Sequence, residues 1–357
     1  MHSSRLEISR AALQHNYRVL RATAANRHLM PVVKADAYGL GLRHVLPILL
    51  DMPEPPSCLC VATVGEAYEL RQLLWHGEIL QLGAQQPSDL PQLRALRTRP
   101  WVMSMPVLEA LLRSDPSHVD LDFDFGMGRM GLRPDQWPEL YRMLRAYRGT
   151  VGLGTHHPNA DRSDLHSARD LTARWQQFLV SMDLHVTARH SANTAAALNQ
   201  LSAADDTHLR CGIGLYGVDP RPTVDSPLQP TVRLLGRVVQ YRTVRAGESL
   251  SYGHEFTAPR AMTIAVVTAG YADGLPIAGA SSVPVYLGDY STRIVGRVTM
   301  DTVLLDATDM PDESRSGWAT LIGGPRGTVR DWATASGRSP YEILTGLGHR
   351  PARAVVP

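Results

Sequence analysis

The chain carries 36 basic residues, and one of them alone, Lys34, is a lysine. Biased codon usage exchanges lysine for arginine wherever a positive charge suffices, which explains the arginines and leaves the survivor unexplained. Arginine cannot stand in where a neutral amine must attack a carbonyl, because its guanidinium stays protonated. Lysine can lose its proton and form an imine. Lys34 directly follows the apolar run Pro31-Val32-Val33. A lysine at the end of a strand in an α/β fold is partly desolvated, which lowers its pKa toward use as a base or nucleophile. The competing structural reading is a lysine snorkelling at the rim of the fold.

The elements that must position this amine come in two patterns. Between residues 29 and 211, short apolar runs alternate with stretches of helical spacing. After Pro31-Val32-Val33 come Leu59-Cys60-Val61-Ala62, Ile79-Leu80-Gln81-Leu82, Trp101-Val102-Met103 and Val119-Asp120-Leu121. Val151-Gly152-Leu153, His185-Val186-Thr187 and His208-Leu209-Arg210-Cys211 complete eight. Eight strands alternating with helices predict a (β/α)8 barrel, whose active groups sit at the C-terminal strand ends. Residues 66–76, with Ala67, Leu70 and Leu74 on one face, are a clear helix. A helix also precedes the first strand, capped by Ser9, with Leu13, Tyr17, Leu20 and Ala24 as its apolar face. The pattern changes after Pro220-Arg221-Pro222, with Pro227 and Pro230 marking a linker. Beyond it, residues 232–241, 262–269, 283–287, 294–298 and 302–306 read as strands, and the tail turns helical around residues 341–347. The division predicted is a barrel over residues 1–226 and a mostly β domain over residues 231–357.

With 357 residues, 44% hydrophobic and 20% charged, the chain has the composition of an ordinary globular protein. A net charge of +2 points to neither nucleic acid nor a membrane surface. The start, Met1-His2-Ser3-Ser4-Arg5-Leu6-Glu7, lacks a signal-peptide core, and no apolar run is long enough to span a bilayer. Cys58, Cys60 and Cys211 make no disulfide framework. They are expected to be reduced packing residues of a cytoplasmic protein, with Cys58 and Cys60 facing opposite ways.

Residues 31–41 read Pro-Val-Val-Lys-Ala-Asp-Ala-Tyr-Gly-Leu-Gly. This resembles the pyridoxal 5′-phosphate (PLP) lysine signature of the alanine racemase family. Residues 119–131, 154–161, 190–198, 210–217, 251–253, 269–274 and 296–301 resemble further family blocks in family order, so the likeness covers nearly the whole chain. It implies the same two-domain fold and a PLP-dependent homodimer that racemises alanine. Lys34 would carry PLP and act as the base on one face of the substrate α-carbon. Tyr252, from the partner's β domain, would be the base on the other. Two bases are needed because one group cannot easily reach both faces. A chain from Tyr252 to His156 to Arg210 would lower the tyrosine's pKa. Arg210 would also face the cofactor's ring nitrogen and keep it unprotonated. Tyr38, Thr194 and the backbone at Gly212 and Ile213 would hold the phosphate, using hydroxyls and turn amides as an anion nest does. Arg129 and the Met300 backbone would take the substrate carboxylate, with Tyr271 lining the access passage and Asp301 near it. Taken alone, Tyr252 reads as a core tyrosine; in Ser-Tyr-Gly and this family it reads as the base.

Three departures from the family pattern bear on the substrate. Asp122 stands where the family often has a carbamylated lysine that orients the arginine matching Arg129. An aspartate supplies that negative charge permanently, with shorter reach. Val355 stands where the tail resembles an Arg-x-Pro-Arg-x-Tyr run, losing a phosphate hydrogen bond of roughly 1 kcal/mol. Thr299 and Thr302 flank Met300-Asp301 in place of Cys and Gln, and His157-Pro158-Asn159 follows His156. Serine or a larger amino acid is therefore the alternative substrate. Decarboxylation, aldol cleavage and non-catalytic PLP binding are the rival classes on this fold. Residues 126–131 and 212–217 both fit G-x-G-x-x-G, yet neither has the ribose-binding acid ~20 residues on that dinucleotide binding requires. His156-His157 with Asp161 lacks the ligand set of a metal site, so no metal is expected. His15 and His349 read as ordinary helix or surface residues.

Overall fold

The computed structural model describes residues 3–182, 184–222, 225–312 and 317–357. Met1 and His2 of the opening segment, and Thr223 and Val224 of the linker, lie outside them. The chain forms two compact units. One comprises Gln14–Ala37 and Leu46–Leu228; the other comprises the chain up to Leu13, Tyr38–Val45 and Gln229–Pro357.

In the first unit, eight parallel strands follow one another. They are His28–Pro31, Cys58–Val61, Glu78–Gln81, Thr98–Val102, His118–Asp122, Thr150–Gly154, Val186–His190 and His208–Cys211. Each from the second to the sixth pairs with the next, and the last pairs with the first in register His28↔His208. Val32 bridges Cys60, and the Thr207 amide donates to the Arg189 carbonyl, so the ring is closed. This is the expected (β/α)8 barrel. The helix Val64–Gln72 begins with a capping box, in which Thr63 Oγ1 accepts from the Glu66 amide and the Glu66 carboxylate accepts from the Thr63 amide. The early helix, Arg10–Ala24, starts as expected, with Ser9 Oγ accepting from Ala12 N at 3.1 Å.

Barrel interiors are usually filled by branched aliphatic side chains. Here the interior is polar. A Cβ on Gly152 would meet Asp120 Oδ1 at 2.1 Å, and one on Gly154 would meet His190 and Trp101 within 3 Å. Those two glycines leave the room into which these large polar groups fit. Arg99, His118 and Asp120 cluster below, and Arg210 lies over the Trp101 ring at 4.4 Å. Cys58 and Cys60 correct the expectation that they diverge. They sit two apart, one full repeat of the pleat, so they share a face. All three cysteines are free and buried.

The second unit is built around Val232–Val244, a 13-residue strand. It pairs antiparallel with Met262–Thr268, Trp318–Ile322 and Ser4–Ser9. Val285–Leu287, Tyr290–Thr292, Ile294–Val295 and Val303–Asp306 extend the sheet, and Ala352–Val356 adds in parallel to Ser4–Ser9. The helices Val329–Ser336 and Pro340–Thr345 follow in the tail. Ser4–Ser9, unanticipated from sequence, belongs to this sheet although it is the first element of the chain. Among the described residues no helix is long and apolar enough to cross a membrane.

Candidate active site

Lys34 does not end an extended strand. It opens a left-handed turn, Lys34–Tyr38, in which Ala35, Asp36, Ala37 and Tyr38 have φ of 53°, 51°, 54° and 56°. Each non-glycine residue in that region costs roughly 1–2 kcal/mol, so the turn persists because its surroundings over-determine it. The Ala37 amide donates to the Val33 carbonyl at 2.9 Å, and the Ala35 amide donates to Glu66 Oε1 at 2.8 Å. The other oxygen of Glu66 takes the amides of Ala62 and Thr63, so one carboxylate caps a helix and holds the lysine turn. Gly39 comes next, where any Cβ would strike the Leu344 carbonyl oxygen at 2.4 Å. Burial lowers the Lys34 pKa, the Arg129 charge lowers it further, and Glu66 opposes both.

Arg210 is buried at the end of the last barrel strand. Its Nη1 donates to His190 Nδ1 and to the His190 carbonyl at 2.9 Å. Its Nη2 donates to the Thr155 carbonyl at 2.6 Å and to His156 Nδ1 at 3.4 Å. A guanidinium only donates, so both histidines must accept at Nδ1 and carry their proton on Nε2. Burial, then the Arg210 charge, pushes His156 down to about 3 and His190 well below its usual range. His156 is therefore a neutral ring with an Nε2–H to offer. The His156–Arg210 link of the expected chain is present. Tyr252 belongs to the β unit, is 70% exposed, and follows Ser251, whose φ is 64°.

Thr194 and Gly212 come together, with Thr194 Oγ1 accepting from the amides of Gly212 at 3.2 Å and Gly214 at 3.4 Å. Thr194 opens the short helix Thr194–Leu198, capped by Asn193 Oδ1 on Ala196 N. A Cβ on Gly214 would meet Thr194 Cγ2 at 2.6 Å, so the approach of the two segments needs glycine. Ile213, between the two amides, is buried.

Asp122 is buried, and burial pushes its carboxyl up to about 7 against the charges of Arg210 first and Arg129 second. No ion pair joins it to Arg129 among the described residues. The pairing expected from sequence is replaced by a stronger influence from Arg210. Arg129 is exposed on a cavity of about 370 Å³ lined also by Met103, Ser104, Asp124, Gly128 and Arg133. Asp124 Oδ1 takes the amides of Gly126 and Gly128 at 2.9 and 3.1 Å, so a carboxylate already fills the turn that a dinucleotide phosphate would need. Among the described residues no three of His, Cys, Asp or Glu gather as a metal site.

In the β unit, Met300 is 51% and Tyr271 43% exposed. The Tyr271 amide donates to the Thr299 carbonyl and the Ala272 amide to the Met300 carbonyl, joining these two segments. Asp301 pairs with Arg350 at 2.6 Å. Thr299 and Thr302 acquire a consequence: Thr299 Oγ1 bonds both the backbone and the hydroxyl of Thr302, closing the turn that displays Met300. Val355 is a sheet residue opposite Ile8. The aromatic beside Tyr38 is instead Tyr341, with ring centroids 6.1 Å apart. Sequence reasoning missed Tyr341, read only as part of a helical tail, and missed Glu66, whose capping signature was visible but whose bond to Ala35 was not.

The alanine racemase N-terminal domain model matches residues 8–220, and the C-terminal domain model matches residues 231–355. The chain belongs to the alanine racemase family. An alanine racemase of Nostoc is 31% identical over 374 residues, covering 98% of this chain and 95% of the relative. One of Yersinia pestis is 34% identical over 361 residues, covering 97% and 96%. The biosynthetic alanine racemase of Pseudomonas aeruginosa superposes with a TM-score of 0.89 at 31% identity, over the full length of both chains. That of Bartonella henselae, solved with covalently bound pyridoxal phosphate, superposes at 0.88 with 26% identity, again over both full chains.

The residues here fit that cofactor. Among the described residues the four Arg210 hydrogen bonds leave from its Nη atoms and none from Nε, so the Nε N–H is left to meet a ring nitrogen. The Lys34 amine, its pKa lowered, is the one lysine available for covalent attachment.

Proposed function

We propose that this member of the alanine racemase family interconverts L- and D-alanine with PLP, using Lys34 and Tyr252 as opposed bases. The observation that carries the proposal is the unique lysine, desolvated and held on a strained turn, in the same unit as an arginine whose Nε is unspent. Bound PLP, carried on Lys34, would supply the electron sink that makes the substrate α-proton removable. Lys34 Nζ holds or releases a proton on one face, and Tyr252 Oη does so on the other. His156, neutral with its proton on Nε2, would donate to Tyr252 Oη of the second copy, which favours the phenolate. Arg210, donating from Nε, keeps the cofactor ring nitrogen unprotonated. Tyr38, Thr194, Gly212 and Ile213 hold the phosphate. Arg129 and the Met300 backbone hold the substrate carboxylate, Tyr271 and Asp301 border its access, and Asp122, its carboxyl raised to about 7 by burial, feels the charges of Arg210 and Arg129.

The β domain over residues 231–357, joined by the strand Ser4–Ser9, would serve the barrel of a second copy in a homodimer. Exposed Tyr252, Tyr271, Ile277 and Met300 on the β unit support that partner. Three free, buried cysteines support a cytoplasmic setting.

Tyr252→Phe tests the second base. Because the two enantiomers have equal free energies, kcat/KM must fall equally in both directions, by roughly 10²–10⁴-fold for a lost general base. The asymmetry appears in α-proton exchange with deuterated solvent, which should persist for the enantiomer served by Lys34 and vanish for the other. Equal, slight losses of exchange from both enantiomers would remove Tyr252 from this role.

A further inference from the structure

Arg350 ties together three segments of the β unit. Its Nε donates to Asp273 Oδ1 at 2.9 Å and its Nη2 to Asp273 Oδ2. Its Nη1 donates to Asp301 Oδ1 at 2.6 Å, and Nη2 also reaches the Met300 carbonyl at 3.1 Å. Asp273 is 1% exposed, and its carboxylate further accepts from Ser4 Oγ at 2.7 Å and the Gly270 amide at 2.8 Å. The buried carboxylate thus fixes the guanidinium from one side, and the free fork reaches out to the Met300–Asp301 turn. The surroundings leave little slack. A Cβ on Gly270 would lie 2.2 Å from the Thr299 carbonyl oxygen and 2.4 Å from that of Met300. A Cβ on Gly274 would lie 2.5 Å from the Gly346 carbonyl oxygen. The Thr299–Thr302 hydroxyl pair closes the same turn from within.

We propose that Arg350 is a positioning residue that presets the Met300 backbone and the Tyr271 turn for the substrate carboxylate. It touches neither substrate nor cofactor; it acts by holding the peptide that does. This rests on the reading above, in which Met300 and Arg129 receive that carboxylate. A planar five-donor fork can satisfy Asp273, Asp301 and the Met300 carbonyl together, and a single ammonium cannot.

The test uses the PLP-loaded enzyme and the variants Arg350→Met, Arg350→Lys and Arg129→Gln. Three quantities are read: KM against kcat for alanine, the inhibition constant of propionate as a bare carboxylate, and amide hydrogen exchange over residues 299–302. Arg350→Met should raise KM and the propionate constant together by roughly tenfold, with kcat changed much less, because a lost ground-state contact appears in KM. Exchange over 299–302 should quicken while that of the barrel strand His118–Asp122 stays as it was. Arg350→Lys, which keeps the charge and loses the fork, should fall between and remains informative if the methionine variant does not fold. Unchanged KM, propionate constant and exchange in the lysine variant would overturn the proposal, as would a loss of thermal stability alone. Arg129→Gln separates the two ideas. If it leaves propionate binding untouched, the carboxylate reading fails and this inference with it. If it weakens propionate while the Arg350 variants do not, the clamp alone is wrong.

Discussion

Lys34→Ala protein should be colourless after incubation with excess PLP and dialysis, and its kcat/KM for alanine should fall by roughly 10⁴-fold or more. The size follows from two losses in one side chain. The amine that anchors the cofactor disappears, and so does the proton carrier on one face of the α-carbon. No second lysine exists to take over, because the sequence has none. Arginine at position 34 should be as inactive as alanine, since its guanidinium stays protonated. A small primary amine in solution should recover part of the alanine variant's activity, because the turn, Glu66 and Arg210 would still be in place. Normal colour and turnover in Lys34→Ala would show that the cofactor is held elsewhere.

The second large effect is on stability against pH. His156, His157, His190 and His208 are all held neutral by burial, with His156 pushed down to about 3 and His157 and His208 to about 4. Their folded pKa values lie below the unfolded one, so their contribution is fully present above about pH 6.5 and is lost as pH falls. In that window the unfolded chain binds up to four more protons, and stability should drop by roughly 5 kcal/mol per pH unit at its steepest. Asp122 acts in the opposite sense. Its folded pKa, about 7, lies above the unfolded value, so its contribution is present at low pH and lost as pH rises through neutrality. Asp122→Asn should therefore gain on wild type by about 3 kcal/mol between pH 5 and pH 8. Urea unfolding of the protein without added cofactor checks both limbs. A flat profile between pH 6.5 and pH 4 would mean these histidines are not buried neutral in solution.

The barrel was legible because each of its strands is a local apolar run followed by a local helical pattern, and consecutive elements become neighbours. Ser4–Ser9 was not, because its partners Val232–Val244 and Ala352–Val356 lie more than two hundred residues away, and no local pattern announces such pairing. Lys34 was found from composition, yet its setting was misjudged. Ala35-Asp36-Ala37-Tyr38 has ordinary right-handed propensity, and distant contacts such as the bond from Ala35 to Glu66 and the tight seat of Gly39 hold it left-handed. Asp122 was expected to pair with Arg129. Burial depth, which sequence does not show, sets it under the stronger influence of Arg210. Tyr341 and Arg350 were overlooked for the same reason as the first strand: their partners Tyr38, Asp273 and Asp301 are distant in the chain.

The central claim is most directly tested by giving the purified, PLP-loaded enzyme L-alanine in deuterated water. D-alanine should accumulate until the two enantiomers are equal, with a single deuterium at the α-carbon of the product. Release of carbon dioxide or an aldehyde, or persistence of L-alanine with no D-isomer formed, would contradict it.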